Sequence, residues 1–340
     1  MPPPEAQNPL HGGPARPWLL ADIGGTNARF GWLDDGPGGV SHVATLPVSG
    51  HAGPAEAAAG YLAGLARTLG PAFRKPRAGA FAVATAVGSD RINFTNSGWA
   101  FSRADTQRAL GLDELLILND FEALALSLPR LSATQLRAWA GAAAAPPPRA
   151  TLAVIGPGTG LGVAGLVPTA HGWVAVPGEG GHASLSAADD FDAALLAAVR
   201  REHPHVSAER LLSGIGLPVL YRGVAAVLGA TPSALLAEHI VEGGVAGSDA
   251  VCSRTLDAFC ALLGSFAGNV ALVLGARGGV YIGGGIVPRL GERFFQSPFR
   301  QRFEAKGRFQ AYLQAVPTLL ITDTLAALNG AAQALELQGR

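Results

Sequence analysis

The stretch Leu19–Leu33, LLADIGGTNARFGWL, decides how the chain is read. Trp18–Ile23 is mostly apolar, as a buried strand is. Gly24-Gly25-Thr26-Asn27 then gives a turn signal. Beyond it alternation resumes, with Ala28, Phe30 and Trp32 on one side and Arg29 and Gly31 on the other. The pattern predicts strand, glycine turn, strand: a hairpin. A dinucleotide-binding unit opens a helix after its glycines instead, and a P-loop carries a Lys that is absent here. The turn offers backbone N–H groups clear of side chains, a Thr hydroxyl and an Asn amide, the parts of a phosphate nest. Asp22, at the end of the first strand, is placed to face a metal-bound water. An ordinary hairpin turn is the other reading, since 46 of 340 residues are Gly and pairs arise by chance.

A second copy favours the phosphate reading. Thr151–Val167, TLAVIGPGTGLGVAGLV, is again apolar strand, glycine turn with a Thr, and apolar strand. Pro157 falls inside its turn and removes one N–H donor, so phosphate contacts are expected at Gly158, Thr159 and Gly160. Two such hairpins suggest a duplicated fold whose halves face one nucleotide. That arrangement resembles the actin, heat-shock and sugar-kinase superfamily. At finer grain, DIGGTNARF, ILNDFEALA, GPGTGLGVA, PGEGGHASL, VSAERLLSG and GGVYIGGGIVPR occur in the order seen in bacterial glucokinases. The resemblance runs from about Trp18 to Ala332.

The resemblance implies an α/β, duplicated actin-like (ribonuclease H-like) two-domain sugar-kinase fold with an interdomain cleft. It implies a small domain at 18–130 plus 322–340 and a large domain at 131–321, while the start of the chain at 1–17, with Pro2-Pro3-Pro4 and no apolar core, reads as a disordered tail. The implied reaction is ATP-dependent phosphorylation of glucose at its 6-hydroxyl, with Mg²⁺ bridging the phosphates and reached from Asp22 through water. ATP would be held by Ala21, Asp22, Ile23, Gly24, Gly25, Thr26 and Asn27. The second hairpin would add Gly158, Thr159 and Gly160. Gly283, Gly284 and Gly285, following the strand expected at Val280–Ile282, resemble the adenosine motif.

The sugar residues need a closer weighing. Leu115–Leu118 reads as a strand running into Asn119-Asp120, with a helix from Phe121 to Leu128 that stops at Pro129. Ligands of open α/β sheets gather at such strand-to-helix junctions. Asp120 read alone is a helix cap; with the hairpins and the resemblance it becomes the general base, with Asn119 beside it, lining the interdomain cleft. Asn96 resembles a loop asparagine near the sugar, and a turn Asn is its equal alternative. Glu179 and His182 stand in the glycine-rich loop PGEGGHAS, where a lone Glu or His is ordinarily a solvated residue. The resemblance makes both sugar ligands, and carboxylate and imidazole suit neighbouring hydroxyls. Glu209, in the first turn of a helix begun by Ser207, is favoured there by the helix dipole; the resemblance makes it a second sugar carboxylate. Wider relatives hold zinc with the corresponding His and a cysteine cluster that this chain lacks, so no zinc is expected.

Composition bounds the alternatives. Lys+Arg and Asp+Glu are both 25, so no basic footprint for nucleic acid is present. A sugar-sensing, non-catalytic protein of the same superfamily would need a DNA-binding module that the first 17 residues cannot form. An actin-like polymer or chaperone would not need Glu179, His182 and Glu209. Cys252 and Cys260 fall eight apart on an expected helix, about 12 Å along its axis and too far for a disulfide. A reducing cytoplasm fits. No signal peptide is visible. Ala258–Ala276 is uncharged, but its Ser, Asn and Gly residues suggest a buried helix rather than a membrane span. Leu131–Ala150 reads as a low-complexity connector, Pro298–Gln310 as a surface helix plus turn, His203 and His205 as surface residues, and Leu325–Leu337 as a helix packing back on the first domain. Relatives in this group are often dimers, so a homodimer is the oligomeric expectation.

Overall fold

The apolar run at the start of the chain forms β1 (Trp18–Ile23), buried at five of its six positions. The cause is its place inside a sheet: β2 (Asn27–Leu33) pairs antiparallel on one side, and β4 (Ala78–Val83) pairs parallel on the other. The computed structural model describes residues 14–36, 39–94, 98–139 and 149–338. Contacts divide the chain into Met1–Arg130 with Thr324–Arg340 as one unit and Leu131–Asp323 as another.

In the first unit, β3 (Ser41–Pro47) edges β2 antiparallel, and α1 (Pro54–Leu69) leads to β4. A separate ribbon of β5 (Arg91–Asn93) and β6 (Ala100–Ser102) precedes α2 (Arg103–Leu110). The Ser102 side chain caps α2 by accepting from the Asp105 N–H. Next come β7 (Glu114–Asn119), parallel to β4, and α3 (Asp120–Ser127). The sheet order is β3-β2-β1-β4-β7. Its core includes Phe30, stacked on Tyr61 at 5.5 Å and edge-on to Phe81 at 6.3 Å.

The second unit repeats this plan. Its strands are β8 (Leu136–Ala138), β9 (Leu152–Pro157), β10 (Leu161–Thr169), β11 (Gly172–Gly178), β12 (Gly279–Ile282) and β13 (Thr318–Ile321). The order is β11-β10-β9-β12-β13-β8. The first two pairings are antiparallel and the next two parallel, as in the first unit. The duplication inferred from two glycine hairpins is therefore a duplication of whole sheets. Between β11 and β12 lie α4 (Asp190–Val199), α5 (Ala208–Leu211), α6 (Leu217–Leu228), α7 (Ala237–Ala246) and α8 (Ala250–Leu274). Four short helices, α9 (Val287–Leu290), α10 (Glu292–Gln296), α11 (Phe299–Glu304) and α12 (Gln310–Gln314), precede β13. The chain then returns to the first unit as α13 (Ala326–Gln338), which packs on α3 so closely that a Cβ at Gly330 would overlap the Ala123 carbonyl.

Three expectations are corrected. Part of the presumed connector is structured: β8 pairs antiparallel with β13, and Trp139 is buried against Phe294 and Phe299 at 4.7 and 4.8 Å. Apolar residues 136 and 139 were masked by the Ala/Pro-rich composition that follows them. The helical half of the presumed surface segment at 298–310, α11, is held in the core, with Phe299 and Phe303 fully buried and Arg300 donating to the Val316 and Leu313 carbonyls, while residues 307–310 are exposed as expected. The charged residues between those rings snorkel to partners instead of marking a solvent face. His203 is only part-exposed, while His205 is exposed and lies 3.0 Å from Ser184 Oγ through Nε2. The uncharged helix α8 is long and apolar enough to cross a membrane by length and composition, but 72 % of its most apolar window is buried within the protein.

Candidate active site

Register in the first sheet brings the first group of site residues to one edge. Ile23 of β1 lies beside Val83 of β4, and Val83 beside Asn119 of β7. The Gly24–Thr26 turn and the Asn119-Asp120 junction therefore stand at the same carboxyl edge, where open α/β sheets bind ligands. Ala21 and Ile23 are wholly buried in β1 and supply the wall, and Thr26 and Asn27 are exposed at the tip. The Gly24 N–H closes the turn on the Asn27 carbonyl at 2.9 Å, so that donor is engaged.

Asp22 lies across from Arg29 in the hairpin register, with 4.0 Å between carboxylate and guanidinium. Its side chain keeps 28 % of its surface open at the rim, yet its depth in the sheet end pushes the carboxyl above the ordinary range, the Arg29 charge opposing this. A carboxylate incompletely offset by its cation is suited to a hydrated metal. Among the described residues no three His, Cys, Asp or Glu side chains gather as a metal cage. Mg²⁺ requires none, since it binds through one or two carboxylates, waters and nucleotide phosphates. The donor set at Asp22 fits that ion.

At the neighbouring junction the cap of α3 belongs to Asn119. Its side-chain oxygen accepts from the Phe121 and Glu122 N–H groups at 2.9 and 3.3 Å, and its amide nitrogen donates to the Thr85 carbonyl at 3.2 Å. Asp120 is the first helical residue, and its carboxylate shares the Phe121 N–H, at 3.0 Å. The reading of Asp120 as the helix cap is thereby corrected. Thr85 also donates from its hydroxyl to the Asn93 carbonyl at 2.9 Å, tying the β5–β6 ribbon to this junction. Its role escaped sequence reading because both of its contacts are long-range.

The second unit assembles the other group. Loops 183–185 and 206–208 are bridged by Leu185 N–H to Val206 C=O and Ala208 N–H to Ala183 C=O, each 2.9 Å. This brings Glu209, on α5, beside the one-turn segment Gly180–His182. His182 stands between two carboxylates: Nε2 is 3.8 Å from Glu179 Oε2, and Nδ1 is 3.8 Å from Glu209 Oε1. Glu179 and His182 are exposed by 62 and 60 %, Glu209 by only 24 %. An imidazole flanked by two acceptors, reachable from solvent past Glu179, suits a ligand that presents several adjacent hydroxyls.

The nucleotide-type turns of this unit interlock. Pro157 ends β9 instead of lying in the turn, and its carbonyl accepts from the Ile286 N–H at 3.2 Å. Gly283 N–H donates to the Ile155 carbonyl at 2.7 Å. Gly284 adopts φ +77°, and a Cβ there would overlap the Pro157 carbonyl. The Gly158 N–H folds back to the Gly160 carbonyl at 2.8 Å, which leaves the tip residue Thr159 exposed. Gly285 has open space where a side chain would stand.

A glucokinase family model matches residues 19–338, the span that carries every one of these groups. The chain belongs to the glucokinase family. It is 49 % identical to the glucokinase of Chromobacterium violaceum over 94 % of this chain and 89 % of that protein. A crystal structure of glucokinase from an Antarctic psychrotroph superposes with TM-score 0.84 at 39 % identity, covering 94 % of this chain and 99 % of that one. The ROK family glucokinase of Streptomyces griseus, solved with glucose and AMPPNP, shares the fold at TM-score 0.60 and 19 % identity, over 94 and 99 % of the two chains. Within the glucokinase family pattern, Asn96 lies outside the described residues, as does the Ala/Pro-rich run at 140–148. Ile215 is 57 % exposed. The glycine before it is the residue sequence reading passed over: Gly214 N–H donates to the Gly158 carbonyl at 2.8 Å, fastening α5 to the second turn.

Proposed function

We propose that this chain transfers the terminal phosphoryl group of ATP to the 6-hydroxyl of glucose. The observation that carries this reading is the Glu179–His182–Glu209 cluster, which suits a polyhydroxylated ligand, in a chain 49 % identical to a glucokinase. Asp120 accepts the proton of the attacking hydroxyl. Asn119 fixes the junction that presents it, and Glu179, His182 and Glu209 hold the remaining hydroxyls. The Gly24–Asn27 turn, Gly158 and Thr159, and Gly283–Gly285 receive the nucleotide. Asp22 orients the water shell of Mg²⁺, which when bound neutralises phosphate charge. Exclusion of water around the sugar would suppress hydrolysis of ATP.

Cytoplasmic location and a place at the entry of glucose into glycolysis belong to this reading. The buried free thiols Cys252 and Cys260, pushed by burial to about 11 and about 12, fit a reducing compartment. The test is a coupled assay over a panel of hexoses and phosphate donors. Glucose with ATP and Mg²⁺ is expected to give the highest kcat/KM. Preference for another hexose, or for ADP or polyphosphate, would replace the corresponding half of the proposal, and glucose binding without turnover would favour the sugar-sensing alternative.

A further inference from the structure

Gly160 stands in a turn whose glycines suggest access for phosphate. The space its absent side chain leaves is filled from the other direction. A Cβ at Gly160 would overlap Glu209 Oε2 and come within 3.2 Å of Glu209 Cδ. The same Oε2 accepts from the Leu161 N–H at 2.8 Å. The other oxygen, Oε1, faces His182. The carboxylate is thus divided: one oxygen is seated on the Gly160-Leu161 backbone, and the other points into the cluster.

Leu161 is held on its far side as well. Gly181 lies so close to the Leu161 carbonyl that a Cβ there would overlap it, and a Cβ at Gly180 would sit 3.0 Å from Val163. Both glycines belong to the segment that carries Glu179 and His182. The first residue of β10 therefore has one sugar-cluster element against its N–H and another against its C=O.

We propose that Gly160 is a positioning residue of the sugar cluster: with the Leu161 N–H it forms the seat that fixes the Glu209 carboxylate, and it sets affinity for the sugar hydroxyls more than for the nucleotide. This rests on the reading of Glu209 as a sugar ligand. A methyl group at 160 displaces Oε2 from the Leu161 N–H. The carboxylate must then reorder when sugar arrives, which appears as lost affinity.

The test uses the full chain and five variants: Gly160→Ala, Glu209→Asp, Glu209→Ala and the two double variants that combine each Glu209 change with Gly160→Ala. Glucose binding is read without nucleotide, and KM for glucose and ATP in the coupled assay. Gly160→Ala is expected to weaken glucose binding by about tenfold or more, the worth of one hydrogen bond to a charged group, with the KM for ATP nearly unchanged. Shortening the carboxylate by one methylene, about 1.5 Å, relieves the overlap, so Gly160→Ala costs much less sugar affinity in the Glu209→Asp background. A rise in the ATP KM with unaltered glucose binding overturns the proposal, as does strict additivity of the two substitutions. Thermal unfolding without ligands supplies a second arm. Gly160→Ala should lower Tm in the parent and far less in Glu209→Ala, and equal lowering in both overturns the seat. If the parent binds no hexose, the functional reading fails while this unfolding cycle still reports on the contact.

Discussion

Asn119, not its neighbour Asp120, closes the first turn of α3. Asn119 Oδ1 takes the Phe121 and Glu122 N–H groups, while Asp120 begins the helix and shares the Phe121 N–H. On the proposed function, adjacent residues divide a structural duty from a chemical one. Asp120→Asn should leave Tm close to the parent and glucose binding within about tenfold. Its kcat should fall by about 10²–10⁴-fold, the usual worth of a general base. A turnover near the parent rate would place the base elsewhere. Asn119→Ala should behave in the opposite manner on stability, losing about 1 kcal/mol of capping, read by urea denaturation.

The Glu179–His182–Glu209 cluster, proposed to hold sugar hydroxyls, makes a binding prediction. Glu179→Ala and His182→Ala should each weaken glucose binding by about tenfold to a hundredfold and leave ATP binding nearly intact. Isothermal titration with glucose and, separately, with a non-hydrolysable ATP analogue distinguishes the two. A greater loss for the nucleotide would mean that the loop faces the wrong ligand.

Gly284 combines a left-handed backbone at φ +77° with contact against the Pro157 carbonyl. Gly284→Ala should lower stability by about 1–3 kcal/mol, the usual cost of overpacking. Because the displaced strand end carries the second turn proposed to receive the nucleotide, KM for ATP should rise while glucose binding holds. Initial rates at fixed saturating glucose test this.

Asp189 supplies a prediction about acid. Its side chain caps α4 through the Asp192 N–H and also accepts from Arg302, and these contacts hold its carboxyl below the ordinary range, against burial. A depressed folded pKa contributes stability that is present above the ordinary carboxylate pKa and disappears as pH falls through the folded value. Asp189→Asn keeps a capping oxygen but not the charge. It should therefore be less stable than the parent at pH 7, with the gap closing in acid. Relief of repulsion on Asp192, whose own carboxyl burial pushes up, works against the loss and keeps it modest. Urea denaturation from pH 7 down to pH 3 measures the gap, and a gap that widens in acid would reverse the assignment.

Much of this was legible from local pattern. β1 and β2 follow from an apolar run, a glycine turn and strict alternation, and the second hairpin repeats that signal. Other features were not. Asn and Asp cap equally well, so spacing alone does not say which of residues 119 and 120 does so. The seat of Glu209 on Leu161 joins residues 48 apart, and nothing local announces it. Phe299 and Phe303 were hidden by the charges between them, although their separation by four is the spacing of one helix face.

The glycines of α8 have one further consequence. At Gly264 and Gly268 the helix admits the carbonyls of Phe299 and Phe303, and its other sides carry Leu256, Phe259, Leu263 and Val270, all buried. Through its middle turns such a helix owns no outward stripe on which sequence drift is harmless. Neutral drift there should be confined to exchanges that conserve volume, while positions near its end such as Val273, 84 % exposed, vary freely. A saturation library screened for folded protein would trace that boundary residue by residue, and would show hydropathy along α8 to be set by packing on every side.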